Sequence, residues 1–298
     1  CLNNNFSIFD TQGIFQRRVI FVGDCLQEQV ELTDLSCLCG STGYRFVLCL
    51  ETPYKMIECQ SCGLRRTFPF LSGVTGSARW RSDNVEREPE CDSTSDVSKD
   101  RKQQIAYVKA MEVKRFVPSG RLLEIGCSAG RLSVIAAKNG LHAVGMDMVS
   151  SLFRTSSSKA HSFLAADVSN MPFKALAVEA VTLHHALEHV EKPVECLNNI
   201  FLALKPGGFL FLSVPNHKAL IPRLIKASWP GYIPWSHRWH FSPKTLLSLV
   251  KQSGFRIVRR TRHESMDTPN MGARAKYFVY WVLNLVQTLV GMGDNICL

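Results

Sequence analysis

Apolar and polar positions change period several times along these 298 residues, and each change predicts an element. Arg121 to Ile125 is a short apolar strand pattern that ends beside an acid, Glu124. A loop of small residues follows, and then Leu132, Val134, Ile135 and Ala136 set a helical period. His142 to Asp147 predicts a second strand, again ending in an acid. Strand, small loop, helix and strand in that order suit a doubly wound α/β sheet, in which ligands sit beyond the carboxyl ends of the strands. Upstream, Tyr44 to Leu50 and Tyr54 to Glu58 are strand-like, with Pro53 near the turn between them. Gln103 to Val117 has helical spacing through Ile105, Val108, Met111 and Phe116, and Pro118-Ser-Gly120 stops it. Residues 72 to 99 have few apolar positions and no period, which predicts a linker that includes Cys91 as a free thiol.

The loop carries the chemistry. It must be small because a ligand meets bare backbone there, at a helix N-terminus whose amides and dipole favour negative charge. Asp147, about twenty residues on, is placed to accept the ribose hydroxyls of an adenosine. A nicotinamide dinucleotide would satisfy both features, but its fingerprint is G-x-G-x-x-G. Here the pattern is Gly126-x-Ser128-x-Gly130, with Glu124 two residues ahead. A carboxylate there repels a pyrophosphate and can pair with an amino group. This loop resembles that of the class I S-adenosylmethionine-dependent methyltransferases, acid-x-Gly-x-Gly-x-Gly, with Ser128 at the middle glycine.

The resemblance extends from about residue 105 to 264. Phe163 to Asp167 resembles the family's third strand, and Ala180 to Val190 its fourth strand and the turn after it. Leu204 to Pro215 is similar to the Lys-Pro-Gly-Gly turn and fifth strand. Ser236 to Leu246, followed by Ser253 to Val258, resembles a helix and sixth strand, and Asn295 to Leu298 the opening of a seventh. The resemblance implies a Rossmann-like seven-stranded sheet over residues 103–298. It implies S-adenosylmethionine as cofactor, held by Glu124, Gly126, Cys127, Ser128, Gly130, Asp147, Met148, Asp167, Val168 and His184.

A second cluster lies upstream. Cys37-Leu-Cys39-Gly40 and Cys59-Gln-Ser-Cys62-Gly63 place thiols on two tight turns, a spacing that can supply four tetrahedral sulfur ligands. Residues 36–71 resemble the small zinc ribbon found ahead of many bacterial methyltransferases, which implies a structural zinc on Cys37, Cys39, Cys59 and Cys62. Ser36 stands where the ribbon's first cysteine would be, so Cys37 takes that place through a shifted turn, with Cys49 a distant alternative. Residues 1–35 show no usable pattern, and residues 72–102 are assigned to the linker.

Composition changes the picture only in part. A hydrophobic content of 46% and a charged content of 20% are those of a globular protein. The net charge of +10 favours acidic partners, but it is spread out, with one dense run from Lys251 to His263. A nucleic-acid partner is therefore not expected. The first twenty residues lack a signal-peptide pattern, so the eleven cysteines are expected to be thiols or metal ligands in a cytoplasmic protein. Ala275 to Met292 approaches the length of a membrane span, but Lys276, Asn284 and Gln287 interrupt it.

Histidines gather where the family builds its acceptor pocket. His185 lies near the cofactor, within a His-x-Leu-Glu-His turn that Glu188 and His189 are expected to hold together. His237 and His240, beside Trp235 and Trp239, are the base candidates on position, because imidazole changes charge near neutral pH. The expected function is methyl transfer to an oxygen of a small-molecule acceptor. An RNA-modifying methyltransferase and a catalytically inactive S-adenosylmethionine-binding protein are the alternatives. Oligomeric state is not legible.

Overall fold

A computed structural model describes residues 35–70, 101–149, 162–258 and 295–298. Three short strands open it: β1 (Tyr44–Cys49), β2 (Lys55–Cys59) and β3 (Arg65–Phe68). Then come α1 (Arg101–Phe116), β4 (Arg121–Ile125), α2 (Arg131–Lys138), β5 (His142–Asp147), β6 (Ser162–Ala165) and β7 (Val178–His184). The rest is α3 (Pro193–Ala203), β8 (Leu204–Pro215), α4 (Leu220–Ile225), β9 (Trp239–His240), α5 (Pro243–Gln252) and β10 (Asn295–Cys297).

The central sheet has the order β10-β8-β7-β4-β5-β6, parallel except for β10, which runs antiparallel to β8. Its strands alternate between two covered faces, as a period of two requires. Leu122, Ala180 and Phe211 pack with α1 and α2, while Leu123, Val181 and Leu212 pack with α3 and α5. Strand order reverses between β4 and β7, which opens the ligand crevice beyond their carboxyl ends. Six of the seven expected strands lie among the described residues. Phe255 to Val258 forms no strand there, which corrects the expected sixth, whereas Asn295 does open the antiparallel edge strand.

The helix expected over residues 103–117 forms, but its buried face is Ala106, Ala110 and Val113, and Val108 is 64% exposed. Small residues let α1 approach α2 closely, so the packing stripe follows alanine rather than the larger apolar side chains. Residues 1–34, 71–100 and the apolar stretch 275–292 lie outside the described residues, and α1 starts at Arg101, which moves the expected end of the linker back from residue 102.

The amino-terminal strands do not stand apart. β1, β2 and β3 form an antiparallel sheet whose fourth strand is β9, contributed from beyond the central sheet. Cys37, Tyr44, Ile57, Cys59 and Leu64 belong to the same buried cluster as Leu183, Trp239 and Phe241. A single parallel bridge, Asn216 to Phe241, ties the end of β8 to the segment leaving β9.

Candidate functional site

The cofactor loop is built by close approach. Gly126, at φ 71°, lies so near the turn after β7 that a Cβ would stand 2.9 Å from that of Ala186. A Cβ on Gly130 would stand 2.2 Å from the Phe163 ring, so only glycine fits there. Ser128 holds φ 49°, the left-handed region where a glycine is at ease and a side chain is strained. Its amide donates to Asp147 Oδ2 at 2.9 Å, and Val149 N donates to Oδ1 at 3.0 Å. A carboxylate has about four lone-pair sites, so two bonds leave Asp147 able to accept ribose hydroxyls. Burial raises the pKa of Asp147 from its ordinary value.

Glu124 turns toward the helix. Its Oε2 accepts from Ser133 N at 2.8 Å and from the Ser133 hydroxyl, which satisfies amides in the first turn of α2. Burial pushes its pKa up to about 7, against these two bonds. Cys127 is buried and Met148 is exposed beside Asp147. Asp167 is exposed past β6 and caps a short turn by accepting from Ser169 N at 2.8 Å, with Val168 buried behind it. His184 bonds Ser213 through Nδ1 at 2.8 Å, and burial holds its pKa well below the usual value. The expected donor-side residues thus lie at the carboxyl ends of β4 to β7, and an adenosine laid across β4 to β6 fits this donor set.

The turn after β7 carries the remaining chemistry. His185 sits at φ 51° with its side chain 35% exposed, and its Nδ1 lies 3.4 Å from Glu188 Oε1. At that distance the contact is electrostatic rather than a good hydrogen bond. Glu188 is 1% exposed and neither of its oxygens has a hydrogen-bond partner. Burial alone would raise its pKa, but His185, His189 and His237 outweigh it and hold the carboxyl at about 2. Glu188, His189 and His237 each offer a ligand atom within 4.8 Å of the others. His189 donates Nδ1–H to Ser236 O at 3.0 Å and His237 donates Nδ1–H to Gly231 O at 2.9 Å. In the neutral form of either ring Nε2 is then the acceptor.

His237 and His240 do not overhang an open crevice. Both are 4% exposed, and burial lowers the pKa of His237 to about 3 and that of His240 well below its usual value. Trp239, which flanks them, is buried too, with its indole N–H on Val190 O and the Arg66 guanidinium 5.0 Å above its ring. Thr67, whose Oγ1 lies 2.9 Å from His240 Nε2, and Ser236, whose carbonyl accepts from His189, were not singled out in the sequence because these contacts join segments far apart along the chain.

The four cysteines do come together. Cys37 and Cys62 sulfurs are 3.6 Å apart and Cys39 and Cys59 sulfurs 3.7 Å, and all four lie within 4.8 Å. Such a set fits a tetrahedral thiolate site. Cys49 is disulfide-bonded, which removes it as a fourth ligand and corrects the expectation of thiols throughout. A cavity of about 540 Å³ lies elsewhere, between Phe116, Phe201 and β8, and of the residues above only His184 lines it. No helix among the described residues is long and apolar enough to cross a membrane.

Comparison with known proteins agrees with this layout. A family model described as a methyltransferase domain matches residues 99–260. A ubiquinone biosynthesis O-methyltransferase of Coxiella burnetii is 28% identical over 130 residues, 41% of this chain and 56% of that protein. The same-named protein of Cereibacter sphaeroides is 31% identical over 152 residues, 47% of this chain and 62% of that one. The chain thus spans less than two thirds of either relative. A solved SAM-dependent methyltransferase from Archaeoglobus fulgidus is 17% identical with a TM-score of 0.47, covering 64% of this chain and 92% of its own. The family match takes in more than half of the 298 residues, including the glycine loop and every acid described above, and the chain belongs to the S-adenosylmethionine-dependent methyltransferases.

Proposed function

We propose that this chain transfers a methyl group from S-adenosylmethionine to an oxygen of a small-molecule acceptor, with His185 as general base. The observation that carries the reading is the His185–Glu188 pair. His185, like His189, is partly exposed, and its turn abuts the cofactor loop at the Gly126–Ala186 approach. A sulfonium makes the methyl carbon electrophilic, so the protein's task is to place an oxygen in line with it and remove a proton. A hydroxyl over His185 would give its proton to the imidazole as the methyl arrives. Buried Glu188 would stabilise the imidazolium, the role of an orienting carboxylate behind a histidine base. His237 and His240, neutral and enclosed, support the turn instead. Both relatives are named as O-methyltransferases, which favours oxygen as the acceptor atom.

The test is a screen of phenolic and catechol acceptors with labelled S-adenosylmethionine. His185→Gln should lower turnover by ~10²–10⁴ while preserving affinity for S-adenosylhomocysteine. Full turnover in that variant would remove His185 from the chemistry, and methyl transfer to RNA alone would replace the substrate class.

One observation favours a second reading, in which Glu188, His189 and His237 hold a divalent cation. Histidines that ligate metals donate their other N–H to a carbonyl or carboxylate, and His189 and His237 both do. The orphaned Glu188 oxygens complete a plausible donor set. A cation there would polarise an acceptor hydroxyl. Titrating Mn²⁺ onto protein with a loaded ribbon tests it, and absence of binding, or equal binding by Glu188→Gln, rejects it.

A further inference from the structure

The ribbon and the methyltransferase unit meet at one buried hydroxyl. β3 pairs with β9 in antiparallel register, Arg65 opposite His240 and Arg66 opposite Trp239. Thr67, next along β3, donates its amide to Arg238 O at 3.1 Å and is 0% exposed. Its Oγ1 stands 2.8 Å from His237 O and 2.9 Å from His240 Nε2.

Proton counting settles the roles. A carbonyl oxygen only accepts, so the single hydroxyl proton of Thr67 goes to His237 O. The same oxygen must then accept from His240, whose Nε2 carries the ring proton. The other side of the 237–240 segment is fastened to the turn after β7. Arg238 N and Trp239 N both donate to Glu188 O, at 2.9 and 3.1 Å, and the Trp239 indole donates to Val190 O. The segment therefore lies between two clamps, one on the Glu188 turn and one on the ribbon. The ring of His237 hangs between them, 4.7 Å from that of His189.

We propose that Thr67 is a positioning residue supplied by the ribbon to the methyltransferase site, fixing His240 as its Nε2–H tautomer and pinning the backbone that presents His237 to Glu188. The ribbon is then a structural half of the acceptor side rather than a tethered accessory. This functional meaning rests on the reading of the Glu188 turn given above, but the tautomer does not.

Histidine ring ¹⁵N spectra of the full chain with S-adenosylhomocysteine bound test the proposal, because protonated and bare ring nitrogens differ widely in shift. In the unaltered protein, His240 should show a protonated Nε2 and a bare Nδ1. Thr67→Val should abolish that single tautomer and shift the His237 resonances. Thr67→Ser, which keeps the hydroxyl, should restore both, and all three proteins should bind S-adenosylhomocysteine alike. A bare Nε2 on His240 in the unaltered chain overturns the proposal even if Thr67→Val does not fold. Unchanged His237 and His240 spectra in a folded Thr67→Val overturn it as well. If the tautomer is as stated while His185→Gln retains full turnover, the positioning stands and the assigned chemistry fails.

Discussion

We propose that the four clustered cysteines hold zinc and that its removal disorders more than the ribbon. The perturbation is chelation, or Cys39→Ser, since Cys39 is exposed and its loss disturbs little packing. A zinc–sulfur bond of about 2.3 Å gives a tetrahedral edge of about 3.8 Å, close to the two sulfur separations of 3.6 and 3.7 Å. Structural zinc sites contribute on the order of 10 kcal/mol, comparable to the whole stability of a domain at about 5–15 kcal/mol. The ribbon has few buried apolar side chains of its own to set against that loss, namely Cys37, Tyr44, Tyr54, Met56, Ile57, Cys59 and Leu64. β3 begins three residues after Cys62, so freeing the thiolates frees Arg65 to Phe68, and with them the partner of β9. The parallel sheet keeps its two covered faces and should persist. Elemental analysis should find about one zinc per chain. Hydrogen exchange after chelation should then show residues 55–68 and 237–241 losing protection together, while β4, β5 and β7 keep theirs. Zinc-free protein with a protected ribbon would refute the reasoning. So would chelation that exposes the ribbon but leaves residues 237–241 protected.

Three further outcomes follow from the cofactor loop. Asp147→Ala should weaken S-adenosylhomocysteine binding by roughly 1.5–3 kcal/mol, the range for hydrogen bonds to a charged group, as read by calorimetry; unchanged affinity would displace Asp147 from the ribose. Ser128→Gly relieves a left-handed side chain, a gain of about 1–2 kcal/mol, against a glycine entropy cost of about 0.5–1 kcal/mol. Urea unfolding should therefore show it neutral to slightly stabilising, and a loss above that range would mean the hydroxyl has a partner of its own. Glu124 has a folded pKa raised from 4.5 to about 7, so its protonated form is favoured by the fold. Its contribution is full below the unfolded value and falls as pH rises from about 4.5 toward 7. Glu124→Gln should flatten that decline in apo-protein stability, and an identical pH profile would remove Glu124 as its cause.

Much of the donor side was legible because it is local. Glu124, the glycine loop and Asp147 are set by strand period, turn geometry and a helix start, all within some thirty residues. The cysteine pairs were legible for the same reason, since each sits on one tight turn. Other features were not. Val108 fits a helical stripe as well as Ala106 does, and only the approach of α2 decided which face is buried. The base candidates placed at His237 and His240 on position turned out to be enclosed, because a strand 170 residues earlier covers them. β3 shows no apolar alternation, its Arg-Arg-Thr-Phe run having one apolar residue, and its pairing with β9 comes from the second half of the chain. Sequence alone determined the sheet, the loop and the ligand-bearing turns, through short-range periodicity and steric need. The tertiary structure decided which histidines stay partly exposed and which are enclosed, because burial and hydrogen-bond partnership arise from segments that meet only when the chain is folded.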